Sequence, residues 1–384
     1  MSKGRIADIE ILRGFAVLFV VLHHAHGNLI TWVSPRFDYL TAHFSGGFGV
    51  DLFLTISGFV IARDLLPRLG AAAERGGAWR CILAFWVRRA WRLLPSAWLW
   101  LMVVLAAVLW FNDSGVFGTW HANLDATYAA LLQIANWRFV ETFMRSEYGA
   151  SFVYWSLSLE EQFYVLLPLL ALLSRRWLPH VLVALVLYQL FASRGLLMVM
   201  FRSDALMLGV LLAIWSRTPL YARLRVALPT RLRVGPLLLA GLSLLMGAFW
   251  ADLINVGVYK FSLVALGASA LVWVASYDAD VLLPKGVVRR LMIWVGSRSY
   301  AIYLIHVPAF FAVREAFARL YPSVTADERY FYPFVLCATA LIVLLSELNF
   351  RLVETPLRRK GVLVSRRLAG EPALPVMVDS RVGG

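Results

Sequence analysis

Ten times along this chain a run of mostly apolar residues recurs at close to the ~20 residues a helix needs to cross the hydrocarbon of a bilayer. The runs lie near 9–29, 46–66, 93–111, 154–174, 177–193, 203–216, 235–253, 258–276, 293–313 and 331–353. In hydrocarbon each backbone N–H and C=O has to find its partner within the segment or in a closed barrel, and runs of this length fit helices. The expected fold is all-α: a polytopic integral membrane protein with about ten transmembrane helices and both termini cytoplasmic. The runs near 177–193 and 203–216 are short and close together, which leaves the count open by one or two. The stretch 122–137 is apolar but short, and reads as a segment at the interface. Composition agrees, with 60% hydrophobic and 16% charged residues against roughly 25% charged in a soluble domain.

Charge supports the layout. With a cytoplasmic N-terminus, the cytoplasmic segments carry 27 Lys and Arg and the outer segments 9, Arg298 at a span start being left aside. A bias in one direction across every loop is what the positive-inside rule expects. The net charge of +14 therefore suits loops against anionic lipid, and nucleic acid is not an expected partner. Trp91, Trp98, Trp110, Trp155 and Trp294 sit near span ends, as in aromatic belts. Cys81 and Cys337 are far apart and neither has a CxxC partner, so neither a disulfide framework nor a bound metal is expected. Lys3 and Arg5 precede the first run as in a signal peptide, but Arg13, His23 and His24 interrupt it, so it reads as a retained span. Residues 1–364 read as one transmembrane domain and residues 365–384 as a polar, disordered cytoplasmic tail.

An ionisable residue inside a span is costly and is a functional candidate by default. Arg13 and His24 are eleven residues apart in the first span. At about 100° per residue they share a face, about 16 Å apart along the axis. A cation near the cytoplasmic rim in line with a deep imidazole suits a ligand with an anionic end and a reactive end, such as an acyl-coenzyme A. The blander alternative is that Arg13 snorkels to lipid phosphate and His24 satisfies a neighbouring helix. In the second span, Gly46, Gly47 and Gly49 suit close helix packing, whereas Asp51 and Ser57 are polar for a span. Arg88, Arg89 and Arg92 flank Trp91 in a cluster suited to phosphate, or to ordinary cytoplasmic anchoring. The fourth span opens on Trp155, Ser156, Ser158, Glu160 and Tyr164. A serine there can cap the helix, but capping leaves the Trp, Glu and Tyr unexplained, and Glu160 and Tyr164 fall on one face at i and i+4. Arg202 and Asp204 open the sixth span. Ser299, Tyr303 and His306 share a face of the ninth, and Glu354 and Pro356 close the tenth.

Taken together these pieces resemble the membrane acyltransferase-3 family, bacterial proteins that move acyl groups onto cell-envelope sugars and other acceptors. The matching pieces are LRGFAVLFVVLHH, GGFGVDLFLTISGF, RRAWRLLP, WSLSLEEQFY, RSDALMLG, SYAIYLIHVP and the terminal ETP, in family order across residues 9–357. The resemblance implies a ten-helix domain in the bacterial inner membrane, an acyl-coenzyme A co-substrate and a hydroxyl acceptor. It implies that Arg13 and His24 are the functional pair of the first span, and that Trp155 and Glu160 match the fourth-span motif. Glu10 stands where the family commonly has aspartate. Some members carry a C-terminal esterase-like domain, which this chain is too short to hold.

The expected chemistry follows. Acetyl-coenzyme A docks from the cytoplasm with its phosphates near Arg13, Arg88, Arg89 and Arg92. Its thioester reaches towards His24, which acts as general base on the acceptor hydroxyl or takes the acyl group itself, with Glu160 as orienting group or proton shuttle. Asp51, Ser57, Trp155, Tyr164, Arg202, Asp204, Tyr303 and His306 are expected in the site wall. The acceptor is expected to be a lipid-linked saccharide, O-antigen or exopolysaccharide, and alternatively a small molecule such as an antibiotic. A transporter of lipid-linked sugar is the rival from another class, since polar residues at midplane fit it too. Oligomeric state is left open.

Overall fold

The computed structural model describes residues 6–224 and 234–370. Lys3, Arg5, Arg225, Arg231, Arg233 and most of the expected tail lie outside the described residues. Among those described there are helices and loops and no named strand. Seven helical runs are long and apolar enough to cross a membrane, or eight if a bent pair at 35–74 is one span. The chain is a multi-pass α-helical membrane protein.

Each of the ten apolar stretches carries a helix. The first is α1 (Ala7–Asn28), whose dihedrals leave the helical region at His26 and Gly27, so regular helix stops just past His24. Gly27 has φ +78°, a left-handed conformation that glycine adopts without steric cost. The short α2 (Pro35–His43) follows, with the Asp38 carboxylate accepting from the Ser34 N–H at 3.0 Å. The second span is α3 (Gly49–Glu74) and the third α4 (Ala78–Trp110).

The stretch read as interfacial forms two helices, α5 (Trp120–Leu131) and α6 (Ala135–Thr142). They are fastened to α7 (Tyr154–Ser174) by a reciprocal amide pair: Asn136 and Gln162 each donate to the other at 3.0 Å. α8 (Leu178–Phe191) is separated from α7 by a break at Arg175, where φ is +47°. The single-turn α9 (Leu196–Met200) leads into α10 (Asp204–Trp215).

After the short α11 (Pro219–Arg223) come α12 (Val234–Trp250) and α13 (Lys260–Ser276). The stretch at 293–313 divides at Arg298 into α14 (Val287–Ser297) and α15 (Ser299–Leu320). Glu354 and Pro356 do not end the tenth span, as their positions suggested. α16 (Phe331–Asn349) continues through a wide π-helical turn, Phe350–Glu354, into α17 (Thr355–Ala369). Pro356 falls in the first turn of α17, where its missing N–H is not needed. Helix thus extends past residue 364, where the polar tail was expected to begin, and stops at Gly370 with φ +70°.

The core is one continuous apolar cluster that α1, α3, α10, α13 and α15 share. Close approach holds its centre together. A Cβ on Gly58 of α3 would lie 2.1 Å from the carbonyl oxygen of Leu206 in α10, and one on Gly296 of α14 would lie 1.8 Å from that of Glu10 in α1. Helices in lipid gain little from hydrophobic exclusion, so such dense contact carries much of their association. The effect is to lock α3 against α10 and α1 against α14.

Candidate active site

Three groups of polar side chains in the bundle interior contain the residues expected in the site. The first lines a funnel. Its mouth, a cavity of about 650 Å³, is bordered by Arg13, Arg63, Arg88, Arg89, Arg92 and Arg358, with Glu10 and Asp64. Arg13 donates to Glu10 at 3.2 Å and Arg88 to Asp64 at 2.9 Å. Arg89 lies over the rings of Phe85 and Tyr164, each centroid 5.6 Å away. Its Nε is buried with no hydrogen-bond partner among the described residues, a donor those residues leave without an acceptor. All four arginines expected to hold an acyl-coenzyme A therefore border one mouth.

The mouth narrows to a throat of about 80 Å³ that shares Arg13, Val60, Arg89 and Arg92 with it. Ser57, Ser156, Glu160, Tyr164, Ser299 and Tyr303 line the throat. The Glu160 carboxylate accepts from both Ser57 and Tyr164. The i, i+4 reading of Glu160 and Tyr164 is realised as a direct bond. Neither Ser156 nor Ser158 caps α7. Ser156 meets the Tyr303 hydroxyl at 2.7 Å, and Ser158 accepts from the Ala135 N–H at 3.2 Å. Because the Tyr303 hydroxyl donates to the Val153 carbonyl at 3.0 Å, Ser156 is the donor to Tyr303.

The second group is a pair of histidines. His24 Nδ1 lies 2.9 Å from His306 Nε2, the rings nearly stacked at 5.1 Å. His306 Nδ1 lies 2.8 Å from the Tyr303 carbonyl oxygen. A carbonyl can only accept, so His306 carries its proton on Nδ1 and presents a lone pair at Nε2. With both rings neutral, His24 must then donate from Nδ1. Its Nε2 is left as a lone pair with no hydrogen-bond partner among the described residues. Phe152 packs edge-on against the ring at 5.4 Å. The partner of His24 is thus His306, which sequence reasoning placed only in the wall. Glu160, expected to orient His24, is engaged with Ser57 and Tyr164 instead.

The third group stands apart from the funnel. Arg202 makes a bidentate pair with Asp51, at 2.9 and 3.1 Å. Its guanidinium carbon is 5.1 Å from the Trp155 and Phe261 ring centroids and 5.4 Å from that of Trp250. Asp204 pairs with Arg194 at 2.6 Å beside Ser262. These side chains are almost fully buried and line neither mouth nor throat. Asp51, Arg202, Asp204 and Trp155, expected in the wall, form a sealed brace joining α3, α7, α10 and α13.

His24 also borders a second opening, of about 460 Å³, with His23, His26, Asn28, Asp38 and Thr41. No periodic signal marks this cluster in the linear chain, because the break after α1 and the placement of α2 create it. Among the described residues no group of three or more His, Cys, Asp or Glu is arranged to hold a metal ion.

Residues 6–348 match the family model described as an acyltransferase domain. The chain belongs to this acyltransferase family. Its relatives include the O-acetyltransferase OatA of Staphylococcus aureus strain NCTC 8325, 27% identical over 94% of this chain and 58% of that protein. They also include the peptidoglycan O-acetyltransferase OatA of Listeria monocytogenes, 24% identical over 94% of this chain and 57% of that protein. The chain spans under three-fifths of the length of these curated relatives. No solved structure matches. On α1, Arg13 borders the mouth and throat, and His24 follows eleven residues later.

Proposed function

We propose that the protein is a membrane O-acetyltransferase of the bacterial inner membrane that moves an acetyl group from cytoplasmic acetyl-coenzyme A to a hydroxyl of a cell-envelope glycan. The bias of the loop charges supports a cytoplasmic arginine mouth. Its guanidinium groups suit the phosphates of coenzyme A, and the narrow throat suits a short acyl group. The name of the Listeria monocytogenes relative, a peptidoglycan O-acetyltransferase, favours a cell-wall glycan over lipopolysaccharide as acceptor.

One observation carries the reading: the hydrogen-bond chain from the Tyr303 carbonyl through His306 leaves His24 a lone pair at Nε2, which supports its role as the base. In the reaction His24 Nε2 takes the proton of the acceptor hydroxyl as its oxygen attacks the thioester carbonyl carbon. The C–S bond breaks, and coenzyme A leaves as the thiolate, which takes the proton back from His24 Nε2 and returns the imidazole to neutral. The imidazolium formed at His24 keeps its Nδ1–H donated to His306, which stabilises the charge as it develops. Glu160, Ser57 and Tyr164 shape the throat.

The test is turnover of radiolabelled acetyl-coenzyme A by purified, folded His24→Ala protein. Acetyl transfer should vanish, and undiminished transfer would refute the mechanism. A deletion strain whose envelope glycans lose one acetyl mass per modified unit identifies a glycan acceptor. Unchanged glycans would favour a small-molecule acceptor.

A further inference from the structure

The funnel accounts for one substrate only. Its lining includes Arg13, Glu160 and Tyr303 but not His24. His24 borders the other opening, of about 460 Å³, a size usual for a small-ligand site. The two cavities also differ in chemistry. The mouth is ringed by arginine. The second opening is lined by imidazoles, hydroxyls, an amide and one carboxylate, with no lysine or arginine. That set suits a neutral, polyhydroxylated molecule, whose hydroxyls both donate and accept, and offers little to a phosphate.

We propose that this opening, between the broken end of α1 and the short helix α2, is the acceptor subsite and holds a saccharide ring with one hydroxyl at His24 Nε2. The inference rests on the acetyltransferase reading and adds the place and chemistry of its second substrate.

The break at His26–Gly27 makes the site. It ends regular helix within one turn of His24 and turns His26 outward, where its Nε2 lies 3.3 Å from Asp38 Oδ1. Both side chains remain reachable, at 50% and 38% exposed. The other Asp38 oxygen holds the Ser34 N–H, which fixes the carboxylate at the rim with Oδ1 able to accept from a sugar hydroxyl. Deeper in, His23 Nδ1 and Ser45 Oγ are 3.0 Å apart, ready to exchange that bond for one to the ring. A further cavity of about 400 Å³ adjoins at Asn28 and is faced by Phe139, Phe143, Tyr148 and Phe152. Its aromatic faces suit the apolar side of a second sugar unit, so the acceptor is polymeric or oligomeric.

The experiment compares Asp38→Asn and His26→Gln with wild type in two measurements. In a deletion strain complemented with each full-length variant, alkali-released acetyl from envelope glycan is quantified at matched protein level. In purified protein in nanodiscs, the Kd for acetyl-coenzyme A is measured by calorimetry. Asp38→Asn keeps the bond to Ser34, so the fold is preserved. Envelope acetylation should fall at least fivefold in both variants, with acetyl-coenzyme A affinity unchanged. Wild-type acetylation in both, or a loss matched by an equal loss of acetyl-coenzyme A affinity, would overturn the assignment. Full acetylation by His24→Ala would instead refute the acetyltransferase mechanism itself, a result distinct from either.

Discussion

His24 and His306, 282 residues apart in sequence, meet through Nδ1 and Nε2 at 2.9 Å. Because His306 is itself fixed by a backbone carbonyl at 2.8 Å, the pair has a defined polarity: in the proposed mechanism one ring is the holder and the other the base. This is the logic by which a carboxylate orients a catalytic histidine, with a neutral imidazole in its place.

That polarity makes His306 a positioning residue. His306→Phe should lower kcat by about 10²–10⁴-fold with little change in the KM for acetyl-coenzyme A. His306→Gln, whose amide oxygen can accept from His24 Nδ1, should recover part of the loss. Steady-state kinetics on nanodisc-embedded protein checks both. Equal defects in the two variants would mean that the ring only fills space.

The arginine mouth predicts a different signature. Arg89→Gln and Arg92→Gln should each raise the KM for acetyl-coenzyme A about 10–100-fold while kcat changes little, as expected for losing a charged hydrogen bond of about 1.5–3 kcal/mol. The effect should be smaller with a truncated acetyl thioester that lacks the nucleotide. Loss of kcat at unchanged KM would place these residues elsewhere in the cycle.

The sealed brace is a matter of stability. Arg202→Met leaves Asp51 buried without its partner, and should destabilise the protein by about 3–5 kcal/mol. The double variant Asp51→Asn, Arg202→Met should recover much of that loss, and its acetyl transfer should exceed that of the single variant. Thermal unfolding in detergent measures the first, and the activity assay the second. Loss of activity in a double variant of wild-type stability would show that the brace takes part in chemistry.

Gly58 tests the packing at the centre of the bundle. Its Cβ position lies 2.1 Å from a backbone oxygen of α10, which cannot move without shifting a helix. Gly58→Ala should therefore cost at least the ~1–3 kcal/mol typical of overpacking. It should lower the Tm, whereas Gly70→Ala, where nothing lies within 4 Å of the added Cβ, should leave it unchanged.

Much of this protein was legible in the linear chain, and for a physical reason. Crossing hydrocarbon imposes a length and an apolarity that any ~20-residue window reveals, so the helices were readable one by one. Helical periodicity likewise aligned Glu160 with Tyr164, because residues four apart are neighbours within a helix. What periodicity cannot convey is which face meets which other helix. Asp51, Arg202 and Trp155 carried the same intramembrane polarity as Ser57 and Glu160. Only the packing of α3 against α10 turned the first set into a closed ion pair and left the second beside a cavity. The same holds for His24: its depth in a span was fixed locally, but its partner came from α15, and its second opening from a break at Gly27 and a helix too short to look like a span. Sequence alone determined the solvent, the secondary structure and the family. Tertiary structure decided which buried polar groups are satisfied by one another and which are left with a lone pair to use, because that depends on contacts between helices far apart along the chain.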